Sequence, residues 1–244
     1  MMSNTRHQFF LPLSGFTFLI LITVLSISCR QVVTPDDLVS NGDTVYYKNR
    51  LYTGEVIARF PDGTISSRKN YKKGLSEGIF EEFYTTGAIK SKGSYRNGKR
   101  WGAWSRSHEN EQLFLSGIFE NGLKEGHWQY WHSNGNPEFE GYWLADQQNG
   151  LWKSWYEDGT LQSEVEWKEG LQHGREIKYH INGQIRSKGS FDNGNQTGLW
   201  TWYFDNGNVE SIEHWNDGQP HGEVVSYYLS GSKKLSGNWS NGQK

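Results

Sequence analysis

The apolar positions of this chain fall into two regimes. One is an uncharged, largely apolar run from Phe9 to Ile27; the other is a set of short aromatic-rich segments that return every 24 residues from Gly54 to Lys244. Glycine opens each return, at Gly54, Gly78, Gly102, Gly126, Gly150, Gly174, Gly198 and Gly222. A fixed period of this length marks a repeat array, here of eight units. Nine residues after the opening comes a turn former with glycine, as in Asp62-Gly63, Asn134-Gly135 and Asn206-Gly207, with Asn110-Glu111 as the exception. Twenty residues after it comes another, as in Asn97-Gly98, Asn193-Gly194 and Asn241-Gly242, with Ala145-Asp146 as the exception. Asn-Gly and Asp-Gly between such runs predict hairpins with tight primed turns. Each unit therefore reads as strand, turn, strand, turn.

Ring positions are equally regular. Phe80, Trp104, Trp128, Trp152 and Trp200 stand two residues after the opening, and the seventeenth position is aromatic in all eight units, from Tyr71 to Trp239. In the second strand Ile89, Gly93 and Tyr95 share parity and hence a face. The glycine between them leaves room for a ring of the adjacent strand to lie over bare backbone. Trp152 and Trp155 have opposite parity, so either both faces carry rings or a bulge resets the alternation. No helical period follows residue 28. The fold class is all-β, an elongated open antiparallel sheet of about eight 24-residue hairpins, roughly 75 Å long for sixteen strands.

The first regime reads differently. Arg6, the uncharged run and Ser26-Ile27-Ser28 make residues 1–28 a secretory signal, with an uncleaved membrane anchor as the alternative. Cys29, the one cysteine in the chain, follows directly. The stretch Leu25-Ser-Ile-Ser-Cys29 resembles the lipobox of bacterial lipoproteins, with Ser26 departing from the leucine often found there. That resemblance implies cleavage before Cys29, its lipidation, and residence in the cell envelope, on the outer membrane; the other reading of Cys29 is a lone structural thiol. A single cysteine excludes an intrachain disulfide framework and a thiolate metal cluster. Residues 29–40 are polar and read as a tether, and 41–53 as a partial capping repeat in which Val45-Tyr46-Tyr47 forms a strand. Residues 54–244 run on without a linker.

Composition narrows the function. The formal net charge is −2, and no basic stripe tracks a phosphate backbone, so nucleic acid is not an expected partner. Twelve Trp, thirteen Tyr, twelve Phe and 29 Gly suit a thin sheet held by cross-strand ring pairs. Gly74-Leu-Ser76-Glu-Gly78 fits the nucleophile-elbow pattern, but both glycines are repeat positions and no helix follows. Gly93 to Arg100 nearly fits a phosphate-binding loop, with Arg100 where Ser or Thr is required. His108, His132 and His180 share a phase with Phe60, Tyr84, Tyr156 and Tyr228, and a two-strand spacing of roughly 9–10 Å is too wide for one zinc. They read as interchangeable rings of one ladder. Glu81-Glu82 and Glu164 with Glu166 read as solvated strand faces. No catalytic residue, metal or cofactor is expected.

The opening Gly-x-Trp-x-x-Tyr-Tyr, the central Asn-Gly and the closing Gly-x-Tyr-x-Asn-Gly, seen in Gly150-Leu-Trp-Lys-Ser-Trp-Tyr-Glu-Asp-Gly159 and Gly189-Ser-Phe-Asp-Asn-Gly194, resemble the MORN repeat in its bacterial variant form. The resemblance covers Gly54 to Lys244; it departs most at Gly102–Glu111 and at Arg175-Glu176, which replaces the usual aromatic. Similar bacterial proteins are labelled YwqK-like antitoxins, which implies protein binding, and the repeat implies a non-enzymatic platform. On this sheet Trp131, Trp155, Trp202 and Tyr227 are the candidate partner-binding aromatics, exposed unless a bulge tucks them in. The expected function is a lipid-anchored envelope platform for a protein partner. An antitoxin neutralising one toxin and a carbohydrate-binding protein are the alternatives, with glycan or lipid contact as further expectations.

Overall fold

The computed structural model describes residues 33–240. The signal, Cys29 and the Asn241-Gly242 turn lie outside these residues. Within them the array is a sixteen-stranded antiparallel sheet whose strands neighbour one another strictly in chain order. The first strands of the eight units are β4 (Gly54–Arg59), β6 (Leu75–Phe83), β8 (Lys99–Ser107), β10 (Leu123–Trp131), β12 (Gln147–Trp155), β14 (Leu171–Tyr179), β16 (Asn195–Tyr203) and β18 (Gln219–Tyr227). The second strands are β5 (Ile65–Lys72), β7 (Ile89–Arg96), β9 (Leu113–Glu120), β11 (Pro137–Leu144), β13 (Leu161–Lys168), β15 (Ile185–Asp192), β17 (Val209–Asn216) and β19 (Lys233–Trp239). Ahead of them β1 (Leu38–Asn41), β2 (Thr44–Tyr47) and β3 (Arg50–Leu51) form a separate three-stranded sheet. Within the stretch read as a tether, Val33 is buried and bridges Val56, and a short 3-10 turn spans Pro35–Asp37. An apolar Val33 facing β4 is the physical reason this part lies against the array. The amide of Val45 in β2 donates to the carbonyl of Gly74 at 2.9 Å.

The two turns of a unit differ in kind. At the twentieth position both central residues have positive φ, as in Asn97 (49°) and Gly98 (82°), which is the primed two-residue turn expected. At the ninth, Gly63 donates to the Phe60 carbonyl and Phe60 to the Thr64 carbonyl, with positive φ at Gly63 alone. That is a three-residue loop, a type I turn closed by a G1 bulge, rather than the primed turn read from sequence. Glu111 takes the glycine place at φ 67°.

From the second unit on, the opening glycine lies inside a strand, not at its start. Gly102 (φ 70°) and Gly126 (φ 67°) sit at register breaks where β8 and β10 bulge against the strands before them. A second shift falls near the far end of each first strand, between Ser154 and Trp155 in β12 for example. The opposite parity of Trp152 and Trp155 thus coincides with a bulge.

The first bulge leans the Trp two residues on across the preceding strand. Trp104 lies on Gly93, Trp128 on Gly117, Trp152 on Gly141 and Trp200 on Gly189, each ring within contact distance of where a Cβ would stand. Each indole N–H then donates to the next carbonyl along, Trp104 to Ser94 at 3.1 Å and Trp128 to Ile118 at 3.2 Å. The match is reciprocal along the array. Wherever the second-strand residue is not glycine, the residue eleven further on is not Trp: Lys69 meets Phe80, Val165 meets Glu176, and Glu213 meets Val224. Single-sheet burial follows from this seating, with Trp128 at 1% and Trp200 at 2% exposure.

Candidate functional site

The ring face is a ladder of cross-strand pairs. Trp104 stands edge-on to Tyr95 (5.3 Å) and Phe119 (5.8 Å) and stacks on Phe80 at 5.7 Å. Phe119 meets Trp128 at 5.0 Å, Tyr130 stacks on Phe139 at 4.2 Å, and Trp143 meets Trp152 at 5.3 Å. Such pairs favour edge-to-face or offset contact because ring edges are positive and faces negative. The ladder changes character at Glu176, a buried carboxylate in a Trp position. Its oxygens take Lys178 Nζ at 3.1 Å and Gln172 Nε2 at 3.5 Å.

Cations roof this ladder at its basic end. Arg100 lies 4.9 Å over Trp104 and 5.1 Å over Phe119. Lys124 lies 4.3 Å over Trp143 and 4.9 Å over Trp128, and donates to the Tyr130 hydroxyl at 3.1 Å. Lys69 lies 4.8 Å over Tyr95. Burial holds the Lys69 ammonium below its ordinary pKa, with the Arg100 charge adding to the effect and Asp43 opposing it. Burial likewise raises the Tyr71 hydroxyl. These roofs were not legible in sequence, because which cation stands over which ring is set by the bulge register.

The four candidate aromatics do not form one surface. All are half-buried. Trp202 lies on the ring face and stacks on Trp200 at 5.7 Å. Trp131, Trp155 and Tyr227 sit one phase later, at the second register shift. The carbonyls of the two tryptophans serve clamps between hairpins: His108 Nε2 lies 2.9 Å from the Trp131 oxygen and His132 Nε2 3.1 Å from that of Trp155. His180 repeats the contact to Tyr203, while Tyr84 and Tyr156 donate their hydroxyls to Ser107 and Tyr179. A carbonyl only accepts, so Nε2 carries the proton in each of these histidines. The three are ring-sized clamps between successive hairpins.

The opposite face carries a polar row and an apolar strip. Glu81 and Glu164 are not solvated as expected. Glu81 lies between Lys92 (3.5 Å) and Arg68 (3.9 Å), and Glu164 takes Lys153 (3.6 Å) and the Tyr179 hydroxyl (3.0 Å). Glu166 accepts the Arg175 amide on this face, while Glu82, in the phase of Trp202 on the ring face, pairs with Lys90. Antiparallel register sets Glu81 opposite Arg68 and Lys92, and Glu164 opposite Lys153, which explains their pairing. Burial raises the Tyr179 hydroxyl, with the Glu164 bond adding to it. Beside this row Ile79, Ile118, Tyr142 and Leu151 are between 43% and 57% exposed. Ile79, Ala103, Ile118 and His127 flank a shallow groove of about 610 Å³ with small residues such as Ser105 and Ser116 on its floor. Parity alone contained the signal for this strip, in apolar side chains one and sixteen residues past the openings.

Ser76 is buried within β6, and its carbonyl accepts from Gly98. Gly93 lies beneath Trp104 and Gly98 in a primed turn, so neither builds a phosphate loop. Among the described residues no three His, Cys, Asp or Glu side chains converge. Charge is segregated along the array, a signal the near-neutral total conceals. Residues 54–107 hold eleven Lys and Arg against five Asp and Glu, whereas 108–244 hold ten against nineteen.

Five segments, residues 76–97, 124–144, 148–169, 172–193 and 196–217, match the MORN repeat variant family. They fall in phase with the 24-residue period, and the chain carries repeats of that type. No curated protein matches it.

Proposed function

From an array of MORN-variant repeats, which points to a repeat-based binding module, we propose that the chain is a non-enzymatic protein-binding platform held in a bacterial envelope by lipid on Cys29. The observation that carries the platform reading is the exposed strip of Ile79, Ile118, Tyr142 and Leu151. Four large apolar side chains in neighbouring hairpins form a surface of the kind that protein contacts cover. The rings of the other face are occupied with one another, so the contact surface moves from Trp202 and its neighbours to this strip. The repeat geometry supports a rigid platform, since both turn edges join successive units: Gly122 donates to Arg100 at one edge and Asn134 to Glu157 at the other.

Affinity capture from envelope extracts tests the reading, with intact protein beside Ile79→Glu/Ile118→Glu and Cys29→Ala. A protein held by the intact chain and released by the double variant is the expected result. If the same proteins are captured with and without the strip, or none is enriched, the reading is wrong. Incorporation of labelled fatty acid into the intact chain but not Cys29→Ala tests the anchor separately.

A further inference from the structure

Lys69, Arg100 and Lys124 form a row of positive charge on the ring face, opposite the apolar strip. Among the described residues none of the three is in an ion pair, although Lys90, Lys92 and Lys153 all are. Aromatic faces hold their stems and heads instead, at 4.3–5.1 Å for Arg100 and the two nearest rings of Lys124. A ring offsets part of a cation's charge but leaves its outer side without a partner. Lys69 and Arg100 moreover repel one another across this face. Among the described residues the row is thus fixed in place without an ion pair, Asp43 near Lys69 being the one carboxylate that offsets this repulsion.

We propose that this row is a docking seat for an acidic segment of a partner protein, laid in extended form across the strands. The strand order sets the spacing. Lys69 on β5 and Arg100 on β8 are three strands apart, and Lys124 on β10 is two further on. At about 4.8 Å per strand these intervals are roughly 14 and 10 Å, the reach of about four and three residues of extended chain. Side chains alternate along an extended chain, so Glu residues four apart face one way, about 13 Å apart. Their flexible side chains make up the few ångströms needed to meet all three cations at once. A flat anionic bilayer or a nucleic acid fits less well. The remainder of the array carries nearly two acidic residues for each basic one and repels a large polyanion, and Trp104 and Trp128 lie flat on the sheet rather than projecting to insert. The inference rests on the binding-module reading but not on the apolar strip, so the two fail separately.

The test is fluorescence anisotropy at low ionic strength, where exposed charge contacts are least screened. The probe is a labelled twelve-residue Ser/Thr peptide with Glu at intervals of four; its control has the same composition with the Glu residues adjacent. Spaced peptide is expected to bind more tightly than the control. Lys69→Gln/Arg100→Gln/Lys124→Gln is expected to weaken binding about tenfold. Lys72→Gln/Lys73→Gln/Lys99→Gln removes equal charge at the neighbouring turn edge and is expected to change it by less than about twofold. Ile79→Glu/Ile118→Glu leaves it unaltered. If the seat variant loses its folded circular dichroism, Arg100→Gln alone, whose head is exposed, carries the comparison. Equal loss in both triple variants, no preference for spacing, or capture of phosphatidylglycerol vesicles with no peptide binding overturns the proposal. So does self-association through the seat in place of peptide binding.

Discussion

Gly117→Ala tests the seating of the tryptophans most directly. The new methyl group would stand well inside contact distance of the Trp128 ring, against Cδ2 and Cε2 rather than a flexible end. The ring is 1% exposed and donates to the Ile118 carbonyl at 3.2 Å, so it has no free space to enter. Overpacking costs about 1–3 kcal/mol and the strained indole bond about 1 kcal/mol, together about 2–4 kcal/mol. Trp128→Val alone opens a cavity over bare glycine and costs about 3–5 kcal/mol. The combination Gly117→Val/Trp128→Val places at each position a residue the chain uses there in other units, Val165 in one and Val224 in another, and its cost falls below the sum of the single changes by about 1–3 kcal/mol. Hydrogen exchange at the amides of β9 and β10 measures this locally, without assuming that an array of repeats unfolds in one step. Additive costs would refute the idea that glycine and ring are seated as a pair.

At the point where the ladder changes character, Val165→Gly/Glu176→Trp restores the usual pair and is expected to raise the melting temperature, whereas Glu176→Trp alone lowers it because Val165 fills the seat. His132→Phe loses the bond to the Trp155 carbonyl and about 1 kcal/mol; His132→Tyr stays within about 0.5 kcal/mol, as Tyr84 and Tyr156 make the same contact. Burial pushes the Glu213 carboxyl up, with the neighbouring Trp215 and Ser211 side chains opposing the effect. A raised carboxyl contributes stability that is full below its unfolded value and is lost as pH rises through its folded value. Glu213→Gln is therefore expected to melt higher than the parent near neutral pH, with the gap closing under acid, in scans taken across that range.

Much of this architecture is written in the spacing. The period, the invariant seventeenth ring and the mid-strand glycine beneath a ring all follow from parity and 24-residue return. Bulges hid the rest. They decide that Trp202 joins the ring ladder while Trp131, Trp155 and Tyr227 fall at a register shift, and that Arg100 and Lys124 roof rings two strands wide. The ninth-position loop escaped because Asn-Gly serves both a primed turn and a G1 bulge, and only the positions of its amide bonds tell them apart. Ion pairing of Glu81 and Glu164 escaped for the same reason: partners eleven or thirteen residues away become neighbours only once register is known.

Strand order equal to chain order has a mechanical consequence. A pull on the two ends of the array acts across the strands, and it peels hairpins from an end one ladder at a time instead of shearing all sixteen at once. The clamps at both turn edges join only nearest neighbours, so each rupture leaves the next unit intact. Every unit released adds 24 residues, about 80 Å of extended chain. If lipid on Cys29 fixes one end and a partner loads the other, the array becomes a tether that lengthens in equal steps and shortens again as hairpins re-form.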